Sequence, residues 1–127
     1  MKTFIQFVFA SVLLIAAAPA YAGQAVQVFV CEIEDEVTEE VLIQRASAWL
    51  KAAKTVKGGE NLTASLHDPV AGNMKQGDVL FVIVAPSLTE WGTFWDNYKD
   101  SAADKLDKEN DDIVCPNSRL FESVVVK

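Results

Sequence analysis

A chain of 127 residues, half of them hydrophobic, is long enough to bury one core. Its formal net charge of −7 makes phosphate backbones and anionic lipid poor partners, so nucleic acid is not expected. One histidine and two cysteines give no zinc-ligand spacing, and neither a metal nor a cofactor is expected.

Residues 1–22 read as a secretory signal. Lys2 supplies the positive start, an uncharged and mostly apolar run extends from Thr3 to Ala18, and Ala20-Tyr21-Ala22 gives the small-x-small pattern of a cleavage site. The strongly apolar stretch from Phe4 to Ala18 falls short of the roughly 20 residues a spanning helix needs, and it runs into Pro19. The expectation is a periplasmic or secreted protein that begins near Gly23, free of the membrane after cleavage; an uncleaved anchor is the alternative. Residues 23–127 then form a single domain, which has one basic residue fewer than the 11 of the whole chain against 18 acidic ones.

From Val26 to Ile33 the chain is rich in β-branched and aromatic residues, the signature of a strand. Glu34-Asp35-Glu36 makes an acidic turn, and Thr38 is the expected cap of a helix with Glu39 and Glu40 in its first turn, where the dipole favours negative charge. Leu42, Ala46, Trp49, Leu50 and Ala53 form its apolar stripe, lysines gather at its end, and Gly58-Gly59 stops it. Leu62, Ala64 and Leu66 alternate with Thr63, Ser65 and His67, the period of a half-buried strand.

Val79 to Ala85 is apolar at every position, as in a central strand covered on both faces. Ser87-Leu88-Thr89-Glu90 is a capping box opening a second helix, along which Trp91, Trp95, Tyr98 and Ala102 recur, with Phe94 beside them. Asp104 to Asp112 reads as a charged connector, and Arg119 to Val126 as the last strand.

The order β-α-β-β-α-β predicts an α+β fold of ferredoxin-like type, a four-stranded antiparallel sheet with two helices on one face. Strands one and three should be central, and strand four should lie antiparallel to strand one. Independently, two cysteines in an exported chain are most simply read as one disulfide, Cys31–Cys115. The topology brings the end of strand one beside the start of strand four, so the two expectations agree. Closing so long a loop stabilises the fold by about 4–5 kcal/mol in the chain-entropy model. There is no Cys-x-x-Cys redox motif.

Two helices can hide only one face of this sheet. Val79, Phe81, Ile83 and Ala85 alternate with Leu80, Val82 and Val84, and strand one alternates in the same way, so both faces are apolar. An open apolar sheet face is a partner surface, and a two-fold homodimer is the expected solution. In its element order and two-faced sheet, residues 25–126 resemble the dimeric α+β barrel superfamily, in which two such subunits pack sheet against sheet. The resemblance implies a homodimer and a range of activities from cofactor-independent monooxygenases to stress-response proteins. No family motif is matched, so no catalytic residue follows from it.

His67 is the only side chain that ordinarily titrates near neutrality, and it is a candidate general base if its face lines a cavity; otherwise His67-Asp68-Pro69 is the entrance to a turn. Trp91, Phe94 and Tyr98 are candidates for binding a flat organic molecule, although their helical spacing describes a core stripe first. Trp91 and Phe94 are the pair expected to leave the core, as both cannot share the stripe centre with Trp95. The acidic run from Asp107 to Asp112 lacks the central glycine and terminal glutamate of a calcium loop. Asn61-Leu62-Thr63 fits a glycosylation sequon.

Three classes remain open. The leading one is a protein that holds a small apolar or aromatic ligand between the sheets of a dimer. The second is a cofactor-independent oxygenase or isomerase using His67 and a cavity-facing Tyr98 or tryptophan, and the third is a structural dimerisation module.

Overall fold

The computed structural model describes residues 23–73, 75 and 77–126. The presumptive signal, residues 1–22, lies outside the described residues. Strands β1 (Gln24–Ile33), β2 (Thr63–His67), β3 (Asp78–Ala85) and β4 (Ile113–Ser123) form one antiparallel sheet in the order β2-β3-β1-β4. The two strands richest in β-branched and aromatic residues, β1 and β3, occupy its centre. Helices α1 (Glu39–Ala53), α2 (Leu88–Asp96) and α3 (Ala102–Glu109) complete the described elements.

The fold is thus α+β with a four-stranded antiparallel sheet, but it carries three helices where two were expected. The stretch from Asp104 read as a connector is most of α3. Ser101 caps this helix by accepting from the Asp104 amide at 3.2 Å, and Asp104 in turn accepts from the Asp100 amide and from Lys108 Nζ, each at 2.7 Å. Asp100 adopts a left-handed conformation (φ 65°), which breaks the chain between α2 and α3. A short amphipathic helix was hidden by its charge: Ala103 is fully buried while the lysines face outward.

β4 also begins earlier than the sequence indicated. A β-bulge interrupts its pairing with β1 between Val30 and Glu32, where Cys115 and Pro116 together face Cys31. Pro116 has no N–H to donate, and this irregular stretch of an edge strand is where that deficit is tolerated. The Cys31–Cys115 disulfide closes across the same point, as expected.

The odd-numbered residues of β1 and β3 face the helices. Ala25, Ile83 and Ala85 join Trp49, Ala53, Leu62, Phe94 and Ala103 in the core. Thr38 caps α1 through the Val41 amide at 3.3 Å, and Ser87 caps α2 through the Glu90 amide at 3.2 Å. The Glu90 carboxylate accepts from the Ser87 hydroxyl, at 3.3 Å, and so completes this cap differently from a reciprocal capping box. Between α1 and β2 the chain turns at Gly58 (φ 88°), where a Cβ would come within 2.5 Å of the Phe94 amide nitrogen. Only glycine allows this turn to lie against the backbone of α2.

On the other face, Val26, Val28, Val30, Leu80, Val82 and Val84 form an aliphatic strip, all half-buried. Among the described residues, no helix covers it. Thr63, Ser65 and His67 border the strip along β2, paired with Val84, Val82 and Leu80. Asn117, Arg119 and Phe121 border it along β4, opposite Val30, Val28 and Val26. The apolar run of β3 therefore has one face covered within the chain and one open.

Candidate ligand-binding cleft

The helix side of the sheet is not filled evenly. Over Ala25, Ile83 and Ala85 the packing is tight, but toward the disulfide end of β1 a cleft of about 520 Å³ remains. The alternation of the strands supplies its floor, Phe29, Cys31, Val79 and Phe81. One face of α1 supplies a wall, Leu42, Arg45, Ala46 and Trp49, at the spacing that places side chains in a row along a helix. Trp95 and Tyr98, at and just beyond the end of α2, supply another, and Asp107, Lys108 and Asp111 stand at the rim.

A second cleft of about 580 Å³ opens on the other side of α1, walled by the acidic turn and β2. The two share Ile33, Leu42, Ala46, Leu66, Val79 and Phe81, so they meet beneath α1. The first cleft is the stronger candidate despite its smaller volume, because it alone contains Trp49, Trp95 and Tyr98.

Those three rings are locked to one another. Trp49 Nε1 donates to the Tyr98 hydroxyl at 3.1 Å, and Trp95 packs on Tyr98 with ring centroids 4.7 Å apart. Trp49 meets Phe81 edge-on at 5.3 Å. The Tyr98 phenol is pushed up to about 12, first by burial and further by the negative charges of Asp107 and Asp104, against the opposing effect of the Trp49 hydrogen bond. It therefore stays protonated through the physiological range, with its oxygen occupied by Trp49.

The rim is charged, and its two cations are paired. Arg45 makes an ion pair with Asp112, and Lys108 with Asp104. Hydrogen bonds from Lys108 and the Asp100 amide hold the Asp104 carboxyl below its ordinary value. Asp107 is displaced in the opposite direction: desolvation against the cleft, then repulsion from Asp104, raise its carboxyl above the ordinary range.

The sequence candidates are distributed over three places. Tyr98 lines the cleft. Phe94 does not: it is fully buried at the centre of the core, contrary to the expectation that it would leave it. Positions 91, 94, 95 and 98 follow one helical stripe, and Phe94 lies at its middle, edge-on to Trp49 and Trp95. Trp91 packs against the core, with its indole nitrogen 2.9 Å from Gln27 Oε1. His67 is exposed at the end of β2 on the open face, 2.8 Å from the Ser65 hydroxyl. The sheet lies between His67 and Tyr98, so the fold does not bring these two candidates into one site.

Sequence reasoning missed Trp95 as a cleft residue and missed Gln27 altogether. Gln27 is buried in the middle of β1, and its side-chain carbonyl accepts from both Trp91 and Trp95, at 2.9 and 3.0 Å. This pair of hydrogen bonds ties Trp95, and hence one wall of the cleft, to the middle of β1. The signal was a lone polar residue on the buried phase of a strand. Among the described residues, no group of three or more His, Cys, Asp or Glu side chains could hold a metal ion, and no helix is long and apolar enough to cross a membrane. Comparison with protein-family models and with curated proteins finds no match for this chain.

Proposed function

We propose that this is an exported binding protein that holds a small, flat, apolar or aromatic ligand in the cleft between α1, α3 and the sheet. In this reading it is a homodimer of the α+β barrel kind, paired through its open sheet faces, with one cleft per subunit. The observation that carries the binding role is the aromatic corner of Trp49, Trp95 and Tyr98, which borders about 520 Å³ of space instead of packing shut. Export rests on the signal-like residues 1–22 and fits the disulfide. Dimerisation rests on the aliphatic strip of the open face.

A binding role is favoured over an enzymatic one by the separation of the candidate working groups. The Tyr98 phenol, protonated at neutral pH, can donate a hydrogen bond to a ligand carbonyl or hydroxyl. His67 lies across the sheet from it and cannot serve as its partner within one subunit.

The test uses Nile red, an uncharged flat dye, titrated into the mature protein while tryptophan fluorescence is followed. Binding should quench the emission of Trp49 and Trp95 as the dye fluorescence rises. Ala46→Phe, which places a ring in the cleft from the half-buried face of α1, should remove binding and leave the fold intact by circular dichroism. Undiminished dye binding by a folded Ala46→Phe variant would reject the cleft as the site.

A further inference from the structure

We propose that the cleft selects organic cations, small quaternary or protonated amines carrying an apolar group, over neutral or anionic compounds of the same shape. This rests on the binding role proposed above and specifies the chemistry of its ligand.

The first argument is the charge distribution around the cleft. Four charged side chains line it: Arg45, Asp107, Lys108 and Asp111. The two cations are each engaged by a carboxylate that does not line the cleft, Arg45 by Asp112 and Lys108 by Asp104. Asp107 and Asp111 have no ion-pair partner among the described residues. The rim therefore presents two carboxylates that no cation pairs directly, Asp107 feeling only the longer-range attraction of Lys108, on a chain whose own net charge is −7. An anion entering the cleft meets repulsion at the rim, and a cation is drawn in over roughly a Debye length of 8 Å.

The second argument is independent of charge. Trp49, Trp95 and Tyr98 are tilted against one another by 45° and 56° instead of being stacked. Trp49 is nearly buried, with Phe81 and Phe94 also packed on it, whereas Trp95 and Tyr98 are half-buried, and it is these two rings that keep surface for a guest. A cation gains from such a surface in a way that a neutral isostere does not, because the ring quadrupole attracts positive charge. An aromatic corner with a carboxylate at its mouth thus combines the two elements that recognise alkylammonium groups. Asp107 fits this role in position and state. It stands beside Tyr98 closely enough to affect the phenol's titration, and its carboxyl pays a desolvation penalty that a bound cation would relieve.

The experiment titrates the mature protein with phenyltrimethylammonium, with its uncharged isostere tert-butylbenzene and with benzenesulfonate, following tryptophan fluorescence and heat at low and high salt. The cation should bind about tenfold more tightly than the neutral isostere, the scale of one desolvated cation–π contact assisted by a carboxylate. High salt should narrow the gap. Asp107→Asn should reduce the preference for the cation over tert-butylbenzene severalfold. Asp111→Asn is a second, separately folding probe of the same effect.

Equal affinity for cation and neutral isostere, or tighter binding of the sulfonate, would overturn the cation inference and leave the cleft as a neutral apolar site. Failure of all three compounds and of Nile red would overturn both.

Discussion

The two faces of this sheet are made from alternate residues of the same strands, yet they differ in kind. The helix face is aromatic and cross-linked by polar bonds: two indoles share the Gln27 carbonyl, a third donates to Tyr98, and the disulfide ties its edge strand. The open face is an aliphatic strip of valines and a leucine whose border is polar apart from Phe121. Hydrogen bonds fix rings in one arrangement and can hold a cleft open, whereas aliphatic side chains gain only by being covered. A face that can sustain empty space suits a ligand, and a face that cannot suits another protein surface.

The largest test of this contrast is the disulfide, which belongs to the helix face. Breaking a link across 84 residues should cost about 4–5 kcal/mol in the chain-entropy model. Urea unfolding of the oxidised protein and of the Cys31→Ala/Cys115→Ala double variant should show that loss as a fall in midpoint together with a steeper slope, because the unfolded chain without its cross-link exposes more surface. A difference below about 1 kcal/mol would mean that the β1–β4 ladder alone holds the cleft end of the sheet.

Neighbouring residues of β3 sharpen the comparison. Ile83 is 1% exposed and faces the core, so Ile83→Ala should cost about 2–4 kcal/mol at any protein concentration. Val82 points to the open face. Val82→Glu should leave a folded protein that sediments as a monomer, and should remove any dependence of the melting temperature on concentration. Were wild type and Val82→Glu both monomers with the same concentration-independent melting temperature, the proposed dimer would be rejected.

Much of this architecture was legible because its signals are local. The caps at Thr38 and Ser87, the alternation in β2 and the continuous apolar run of β3 each depend on a few adjacent residues. The α3 helix was not legible, since a charged stretch reads as solvated until Ala103 is seen to have a core to face. The same limit applied to the cleft. Tyr98 was a candidate, but Trp95 and Phe94 could be assigned to cleft and core only once the tilt of α2 on the sheet was known. Gln27 depended on two residues more than 60 positions away in the chain, beyond the reach of any sequence window.

The smallest effect separates what α2 needs from what it merely contains. Gly92 lies inside this helix, and a Cβ built on it meets nothing within 4 Å. Glycine there serves neither a turn nor a close approach, in contrast to Gly58, whose Cβ would strike the same helix's backbone. Gly92→Ala should therefore stabilise the protein by about 0.5–1 kcal/mol, by reducing the freedom of the unfolded chain. The gain should appear in thermal unfolding without altering Nile red affinity, because the neighbouring Trp91 and Trp95 are held through Gln27. A loss of stability instead would mean that the outer surface of α2 is occupied, and the proposed partner surface on the open sheet face would have a rival on α2.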